Sequence, residues 1–457
     1  MGRSVFVEEV IEERILRLLG ETKWTSGVLI GQSTPQRDYV IHLALTPSQE
    51  SEEVSDDDGS RKKTVKQKSA SNEFDEEWFV QHCRQVNCML TGGLRIMGIF
   101  VFGPPDVRTR LQSKFRQTLY SVHKMIGGDF PLAKLKLEQS MSQVMVQVCS
   151  STKKTSCYTL DVSDSTASIQ PADLKYQNFV SKWTHIHCSL AIELKFSLQK
   201  KVDGKTHFSN LKNGMMPILS SIANSLGTIN GTILSDEQLL VSESKQKGKS
   251  LDKNHTKKIN LFLTENGFEP DILKYTSRQV LLVGTVESQA FLHPKATVKN
   301  AIDAIKCDVV RSLLTRCRLL CEDLDENVSQ DEDYGDEEEM LIKWELPKRM
   351  FAPICRGHVS ISDCVFKDED TKDTLNRILE LLGVSVSEDD LVSDETFADD
   401  DVTYDLLGQD KISFNSNEKV QSEAGSSTGS AFYRFFGASV GALTVAMAAL
   451  YKWYLDE

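Results

Sequence analysis

The N-terminal part of the chain alternates between helical and strand-like patterns of hydrophobic positions. Apolar residues recur at three- and four-residue steps from Val7 to Leu19, which predicts a short amphipathic helix. The segments 27–32 and 38–45 are rich in β-branched and aliphatic residues. They predict two strands, separated by a turn at Pro35.

A second helix follows, with Asp75 as its expected N-cap and an end before Gly92-Gly93. Segment 94–103 predicts a strand, and the helix after it presents one apolar face. The residues of that face are Val107, Leu111, Phe115, Leu119 and Val122.

Two more predicted strands, 142–150 and 156–162, complete a helix-flanked sheet. Residues 1–165 are therefore expected to form a mixed α/β domain of the α+β class. The polar segment 48–72, with mixed charges, predicts a flexible surface loop within it.

A second α+β domain is predicted over residues 180–383. It contains long strands at 183–198 and 279–292, a last strand at 351–366 and a final helix at 373–383. Its longest helix has one apolar face, made of Val298, Ile302, Ile305, Val309, Leu313, Cys317 and Leu320.

Two acidic stretches change this picture. Residues 322–339 carry eleven acidic side chains and residues 388–405 carry nine, and neither stretch contains Lys or Arg. Such blocks are typical of solvated linkers, although docking onto a basic partner stays an alternative. We expect an acidic loop at 322–339 and a disordered acidic tether at 384–430. The net charge of -13 argues against nucleic-acid binding.

The region 431–455 contains an apolar run with three possible roles: a buried core helix, a removable signal or a membrane anchor. Residues 435–451 are seventeen positions without a charge, a helix of roughly 25 Å at about 1.5 Å per residue. Aromatic residues flank both ends, as at two membrane interfaces. A single transmembrane helix is predicted. Its anchor residues are Phe435, Phe436, Gly437, Gly441, Leu443, Val445, Met447, Leu450 and Tyr451.

This anchor sets the expected topology. Six residues follow Tyr451, which favours post-translational insertion as in tail-anchored proteins, with the bulk of the chain in the cytosol. The far tail lacks the basic cluster of mitochondrial anchors, so the endoplasmic-reticulum membrane is the expected location. The ten cysteines, irregularly spaced, agree with a reducing compartment. Gly437 and Gly441 form a small-xxx-small step suited to pairing with another membrane helix.

Candidate chemistry is sparse. His185 and His187 share one face of a strand and could meet a metal, but two histidines in a polar layer explain the pattern better. Nucleotide-binding and serine-hydrolase motifs are absent from the sequence. Tyr404 and Leu407 follow acidic residues and fit either a sorting signal or a short ligand for ubiquitin-like modifiers. Neither an enzyme nor a cofactor is predicted.

The framework "SGVLIGQ", "YVIHLAL" and "GGLRIMGIFVFGPPD" resembles that of MPN (JAMM-type) domains. Aligning the proline of the family's zinc motif with Pro104 places Val101 and Gly103 where the two zinc-binding histidines would stand. Neither residue can bind zinc. The resemblance therefore implies a metal-free, pseudoenzyme version of this domain.

Two further blocks resemble the ODR-four (odorant response abnormal protein four) family. They are 75–102, with Asp-Glu-Glu-Trp and Gly92-Gly93-Leu94, and 150–177, with Ser151-Thr-Lys-Lys154 and Pro171-Ala-Asp173 before Lys175-Tyr-Gln177. The resemblance extends over the chain, and the single C-terminal anchor fits it.

This resemblance implies a non-enzymatic adaptor at the endoplasmic-reticulum membrane. Its expected partners are the lipid bilayer, a subset of G-protein-coupled receptors and a cysteine protease for the ubiquitin-fold modifier, with no small-molecule substrate. A receptor-maturation factor acting through its transmembrane helix, and a cysteine or zinc hydrolase with an unrecognised site, stay as alternatives.

Overall fold

An eight-stranded mixed sheet is built from the N-terminal part of the chain. The computed structural model describes residues 3–19, 24–48, 74–137, 141–198, 207–241, 256–263, 278–327 and 340–395. The strands are β1 (Ser4–Val7), β2 (Thr25–Ser33), β3 (Arg37–Leu45), β4 (Arg95–Gly103), β5 (Ser142–Cys149), β6 (Thr155–Asp161), β7 (Gln170–Pro171) and β8 (Asp173–Tyr176). Their order across the sheet is β7-β6-β5-β4-β2-β3-β1-β8.

Helices cover both faces of this sheet, and its central strands are therefore buried on both sides. On one face α1 (Glu9–Leu18) packs with Ile11 and Ile15 against Leu43 and Phe100. On the other face lie α2 (Glu76–Met89) and α3 (Val107–Asp129). Asp75 caps α2 by accepting a hydrogen bond from the Trp78 backbone N–H, as predicted.

A five-stranded sheet follows, with strand order β10-β11-β9-β12-β13. Its strands are β9 (Thr184–Leu198), β10 (Leu226–Ile229), β11 (Lys257–Phe262), β12 (Arg278–Leu292) and β13 (Met340–Glu345). Two helices, α4 (His207–Asn224) and α5 (Val298–Asn327), share one apolar core with this sheet. The mixed α+β class is thereby confirmed.

The last elements pack back onto the first sheet. β14 (Lys348–Ile354) and β15 (Val359–Val365) form a hairpin, and α6 (Thr371–Leu382) follows. Ile354, Ile361 and Ile378 join the core that contains Ile41 and Phe79. The prediction that 180–383 forms one domain is therefore wrong for this C-terminal part, because its apolar side chains are buried in the core of the first sheet.

Four other predictions need correction. Val7 belongs to β1 rather than to the first helix. The single strand predicted at 351–366 is a hairpin, because Cys355 (φ 52°), Arg356 (φ 60°) and Gly357 (φ 82°) turn the chain in left-handed backbone conformations. The first sheet also continues past residue 165, since β8 pairs with β1. The acidic run from residue 322 begins inside α5, which extends to Asn327.

The predicted start of the tether, at residue 384, is also too early in the sequence. Val392 pairs with Phe351 of β14 through two backbone hydrogen bonds of 2.7 and 2.9 Å. Glu395 is buried, forms an ion pair with Arg316 and accepts the backbone N–H groups of Glu287 and Arg349. Residues 384–395 are thus part of the fold, because an acidic side chain finds a buried guanidinium there.

By its contacts, one unit extends from Met1 to Ala398. Across the stretches whose structure is described, no helix combines the length and the apolar character needed to cross a bilayer. The predicted anchor at 431–455 lies outside the described residues, as do the loop at 49–72, most of the acidic loop and residues 396–430.

The two sheets meet at Gly92 and Gly93, directly after α2. The Gly92 N–H donates to Gln289 O at 2.8 Å, and the Phe291 N–H donates to Gly92 O at 3.0 Å. A Cβ on Gly92 would lie 2.6 Å from Ala304 O of α5. Gly93 has a φ of +79°, and a Cβ there would lie 2.4 Å from Phe291 O. Only glycine permits this approach of the backbones.

We expect Gly92→Ala to destabilise the protein by about 1–3 kcal/mol, because its methyl group would force β12 and α5 away from the glycine pair. Chemical denaturation followed by circular dichroism measures this change. Gly127→Ala is the matched control, since nothing lies within 4 Å of its Cβ position in α3. It should be neutral or stabilise by up to about 1 kcal/mol. Equal stability of the two variants would contradict the role of the glycine pair.

We expect Glu395→Ala to cost about 3–5 kcal/mol, because it leaves the buried Arg316 guanidinium without its carboxylate. The same denaturation experiment measures the loss. Glu388→Ala, an exposed position in the same acidic segment, should change stability by no more than about 0.5 kcal/mol. A small effect of both substitutions would mean that the segment does not hold the fold.

Candidate functional site

The junction between the two sheets opens into a cleft of about 260 Å³. Its lining includes residues near Gly93, the ends of β2 and β12, and residues of α3 and of the first half of α5. Its apolar wall consists of Leu94, Ile96, Ile126, Leu132, Leu137 and Leu292. The cleft thus combines an apolar wall with residues from both sheets.

Gln32 fixes the two sheets beside this cleft. Its side-chain amide donates to Gly93 O at 3.1 Å and to Phe291 O at 3.4 Å, and its Oε1 accepts the His293 N–H at 3.1 Å. One side chain of β2 therefore contacts both the glycine pair and the end of β12. His293 borders the cleft, and burial lowers its pKa to about 4, so its ring is neutral at pH 7.

Arg311 of α5 also donates hydrogen bonds to the segment around the glycine pair. It is 5% exposed, and its guanidinium donates to three backbone carbonyls, those of Leu90, Thr91 and Leu94, at 3.0 to 3.5 Å. Burial lowers the pKa of this side chain. The nearby Asp308 carboxylate opposes this effect of burial.

Three buried polar atoms on residues that border the cleft have no hydrogen-bond partner among the residues described: Asn87 Nδ2, Gln143 Oε1 and Arg311 Nε. Asn87 is 3% exposed and lies on α2, and Gln143 is 2% exposed and lies on β5. Buried polar atoms are nearly always hydrogen-bonded, and these three atoms are themselves buried rather than exposed to the open space of the cleft.

The sequence did not reveal this cleft. Asn87 and Gln143 are single polar residues within otherwise ordinary helical and strand patterns. The one available signal was in α5, where Lys306, Asp308, Arg311 and Arg316 interrupt a helix that is otherwise rich in apolar residues. All four are buried, but their partners lie far away in the sequence.

The positions compared with the zinc ligands of MPN domains lie in β4. Val101 is fully buried. A Cβ at Gly103 would lie 2.8 Å from the Trp24 ring. Both positions are thus closely packed, and neither carries a nitrogen, oxygen or sulfur side-chain donor.

His185 and His187 do share a strand face, but each has a separate set of partners. His185 stacks on Phe291 with ring centroids 4.7 Å apart, and its Nδ1 lies 3.2 Å from Thr256 Oγ1. His187 Nε2 lies 2.6 Å from Glu287 Oε2, and Ser189 donates to the other oxygen of that carboxylate.

Asp394 approaches the His187–Glu287 pair, so that one ligand atom from each of the three residues lies within 4.8 Å of the others. The two Glu287 oxygens already accept hydrogen bonds, and Asp394 is exposed. The hydrogen bonds to the Glu287 carboxylate explain the group without a metal.

The remaining predicted sites lie outside the described residues. They are the short motif of Tyr404 and Leu407, the step of Gly437 and Gly441, and the other predicted anchor residues between Phe435 and Tyr451. Their roles stay predictions.

Several known proteins are similar to this chain. The model of the Odorant response abnormal 4-like family matches residues 27–393. The "Protein odr-4 homolog" of Gallus gallus is 30% identical over 399 residues, 86% of each chain. The protein of the same name from Homo sapiens is 30% identical over 408 residues, 87% of each chain.

More distant similarities were also found. "Odorant response abnormal protein 4" of Caenorhabditis elegans is 24% identical over 260 residues, 56% of this chain and 53% of that one. The crystal structure of UfSP from C. elegans aligns with 84% of this chain and 57% of that one, at 8% identity and a TM-score of 0.36. A similarity that loose carries no argument. The family model and the vertebrate relatives cover most of the sequence, and the chain therefore belongs to the Odorant response abnormal 4-like family.

Proposed function

We propose that this protein is a non-catalytic adaptor in the trafficking of membrane receptors. The observation that carries the proposal is the family match over residues 27–393, which spans both sheets, α5 and the C-terminal hairpin. Names of the relatives refer to an odorant response, in agreement with a role for receptors of the G-protein-coupled class. The match covers the folded part and leaves the apolar run 435–451 beyond it.

The apolar run supports the membrane part of the proposal. A charge-free segment of seventeen residues between Arg434 and Lys452 has the length and the aromatic borders of a single membrane span. In this proposal it anchors the protein in the endoplasmic-reticulum membrane as a tail anchor. The folded residues then face the cytosol.

The partner side of the proposal has two elements. The folded part would bind the cysteine protease of the ubiquitin-fold modifier and bring it to the membrane, as the family resemblance implies. A metal-free MPN-like fold fits a scaffolding role, and the buried, donor-free positions Val101 and Gly103 support that interpretation.

The cysteines also favour an adaptor over a hydrolase. Burial raises the pKa of seven thiols, to about 12 for Cys157, Cys188, Cys355 and Cys364, and in direction for Cys83, Cys88 and Cys317. A raised thiol pKa removes the nucleophilic thiolate at neutral pH. Cys149 differs, because hydrogen bonds from the Thr152 side chain and from backbone N–H groups lower its pKa.

A second candidate function rests on the glycine step. Gly437 and Gly441 would let a receptor helix approach closely within the bilayer, so that the protein assists receptor maturation through its transmembrane helix. The experiment below separates this function from simple anchoring.

Deletion of 431–457 should release the protein from membranes, because the only long apolar run is removed, while a soluble partner stays bound. Membrane flotation and co-purification measure the two properties. Replacing 431–457 by an unrelated single-pass anchor is the control, and it should restore receptor delivery to the cell surface if this segment only anchors. If delivery returns with the native segment but fails with the substitute and with Gly437→Leu/Gly441→Leu, the helix-pairing function is supported instead.

Glycosylation tests the predicted membrane topology. The sequons at Asn230, Asn254 and Asn327 should carry no glycan, because residues before the anchor stay in the cytosol. A shift in gel mobility after glycosidase treatment would contradict the cytosolic orientation.

Iodoacetamide should modify Cys149 faster than any of the seven cysteines with raised pKa, because its thiolate is more populated at pH 8. Peptide mass spectrometry of the native protein measures the order of labelling. Cys149→Ser should abolish the fast phase and leave receptor delivery unchanged. Loss of delivery in this variant, with normal folding, would favour the hydrolase.

A further inference from the structure

Exposed apolar side chains are concentrated at one edge of the second sheet. Nine large apolar side chains are exposed in the described part of the chain, and six of them lie between residues 226 and 263. The six are Leu226 (70% exposed), Ile233 (80%), Leu239 (46%), Val241 (44%), Phe262 (55%) and Leu263 (41%). Single exposed apolar residues are normal, but such a concentration marks an interaction surface.

Two of these residues lie side by side at the edge of the sheet. Leu226 of β10 is the register partner of Phe262 of β11, so their side chains project from the same face. Among the described residues β10 is an edge strand, with β11 as its neighbour. A tight turn after β10, closed by two backbone hydrogen bonds of 3.0 Å, leads to the exposed Ile233.

Lysines accompany these apolar side chains. β11 begins with Lys257 and Lys258, and Lys258 is exposed on the same face of the strand as Phe262, four residues later. The acidic residues of the neighbouring loop, Asp236 and Glu237, lie where that loop bonds to the start of α5. We call the six residues at this edge the edge surface: Leu226, Ile233, Lys257, Lys258, Phe262 and Leu263.

The charge of this part of the chain is opposite to that of the whole protein. The connection between Val241 and Thr256 lies outside the described residues, and its sequence adds four lysines against two acidic residues. The net charge of the chain is -13. Charge complementarity therefore selects an anionic partner for the edge surface.

The combination of lysines with exposed apolar side chains favours a lipid surface over a protein partner. Lysine is depleted at protein–protein interfaces. At an anionic membrane, lysines are attracted to the lipid headgroups, and apolar side chains enter the boundary between headgroups and acyl chains. Residues 396–430 connect the folded part to the proposed anchor, and a flexible chain of this length spans on the order of 30 Å. A bilayer is then within reach of the folded part.

We propose that the edge surface docks the folded part onto an anionic phospholipid membrane. Leu226 and Phe262 enter the headgroup layer, and Lys257 and Lys258 contact lipid phosphates. The proposal rests on the membrane attachment proposed above and adds the face that the bilayer contacts. A tether gives such docking an effective concentration in the millimolar range, so a contact that is weak in solution becomes substantial at the membrane.

Docking is tested without the anchor, on the chain that ends at residue 430, which keeps the whole compact unit from Met1 to Ala398. Co-sedimentation at millimolar lipid should show binding to phosphatidylcholine vesicles that contain about 30% phosphatidylserine, at least about tenfold stronger than binding to phosphatidylcholine alone. High salt should weaken this binding, because it screens the lysines. Flotation of the full-length chain reports separately on the anchor.

Two double variants separate the apolar from the basic contribution. Leu226→Ser/Phe262→Ser removes exposed apolar side chains, and Lys257→Gln/Lys258→Gln removes two charges. Each double variant should weaken vesicle binding by at least about fivefold. Circular dichroism verifies that the variants are folded, as expected for substitutions at an exposed edge.

Matched controls make the same changes at exposed positions elsewhere. Leu16→Ser/Leu379→Ser changes two exposed leucines of α1 and α6, and Lys153→Gln/Lys154→Gln changes two exposed lysines between β5 and β6. Neither control should alter vesicle binding. A control that weakens binding as much as its edge-surface counterpart would show that docking is not confined to this edge, and the proposal would be overturned.

The full-length protein in lipid nanodiscs gives a second measurement on the native chain. Acetylation by an N-hydroxysuccinimide ester, followed by peptide mass spectrometry, should be slower at Lys257 and Lys258 in anionic discs than in phosphatidylcholine discs. Lys153 and Lys154 should react equally in both. Equal acetylation of all four lysines in the two kinds of disc contradicts docking.

The remaining outcomes are distinct. Equal binding to anionic and neutral vesicles, or no binding to either, overturns the proposal. Binding that requires the lysines but not Leu226 and Phe262, and that soluble polyglutamate abolishes, identifies an acidic protein partner and also overturns it. Failure of the full-length chain to float with membranes, while the shorter chain still prefers anionic vesicles, contradicts the anchor and leaves the docking surface supported.

Discussion

The close approach of Gly92 and Gly93 to β12 and α5 is the contact on which the rest of the structure depends. Neither glycine can carry a Cβ, since the nearest carbonyl oxygens lie 2.6 and 2.4 Å from the Cβ positions. The approach lets the backbone of one sheet bond directly to a strand of the other, and it brings Gln32 and Arg311 into contact with the same five-residue segment. Gly93 and Leu94 of this segment also line the cleft.

Buried charges hold the C-terminal elements to this junction. Arg349 of β14 binds Asp308 of α5 with both terminal nitrogens of its guanidinium, at 2.6 and 2.9 Å, and donates to Glu287 O of β12. Glu395 then joins Arg316 of α5 to β12 and β14 through backbone N–H groups. Such pairs contribute less net stability than apolar packing, but removal of one member leaves an uncompensated charge. They therefore define where the hairpin and the segment after α6 attach.

Long periodic elements were predictable from the sequence because their pattern is local. The five residues predicted for the apolar face of α3 are all buried, and the two long strands predicted for the second domain are present as β9 and β12. In the structure these two strands pair antiparallel over fifteen residues of each. The helix α4 was missed because Gly214 and Pro217 interrupt its pattern, and β10 and β11 because they have four and six residues. These elements are stabilised by the shared core rather than by their own propensity.

What the sequence could not supply is non-local. Gly92-Gly93 was placed correctly as the end of a helix, but its function as the contact between the sheets depends on Ala304 and Phe291, about 200 residues later. In the same way, the acidic segment that contains Glu395 has the composition of a linker, and only the structure shows that Arg316 lies beside it. Charge composition alone predicts that an acidic segment is a solvated linker. This prediction fails where a buried guanidinium can pair with one of the acidic side chains.

The position of the cleft links recognition to the integrity of the fold. Arg311 donates to the carbonyls before and after the glycine pair and also borders the cleft, so the side chain that holds the junction is part of the cleft wall. A ligand that binds the folded state alone must stabilise it by mass action. In the described part of the chain, the contacts of Arg311 lie where α5 meets the segment that follows α2.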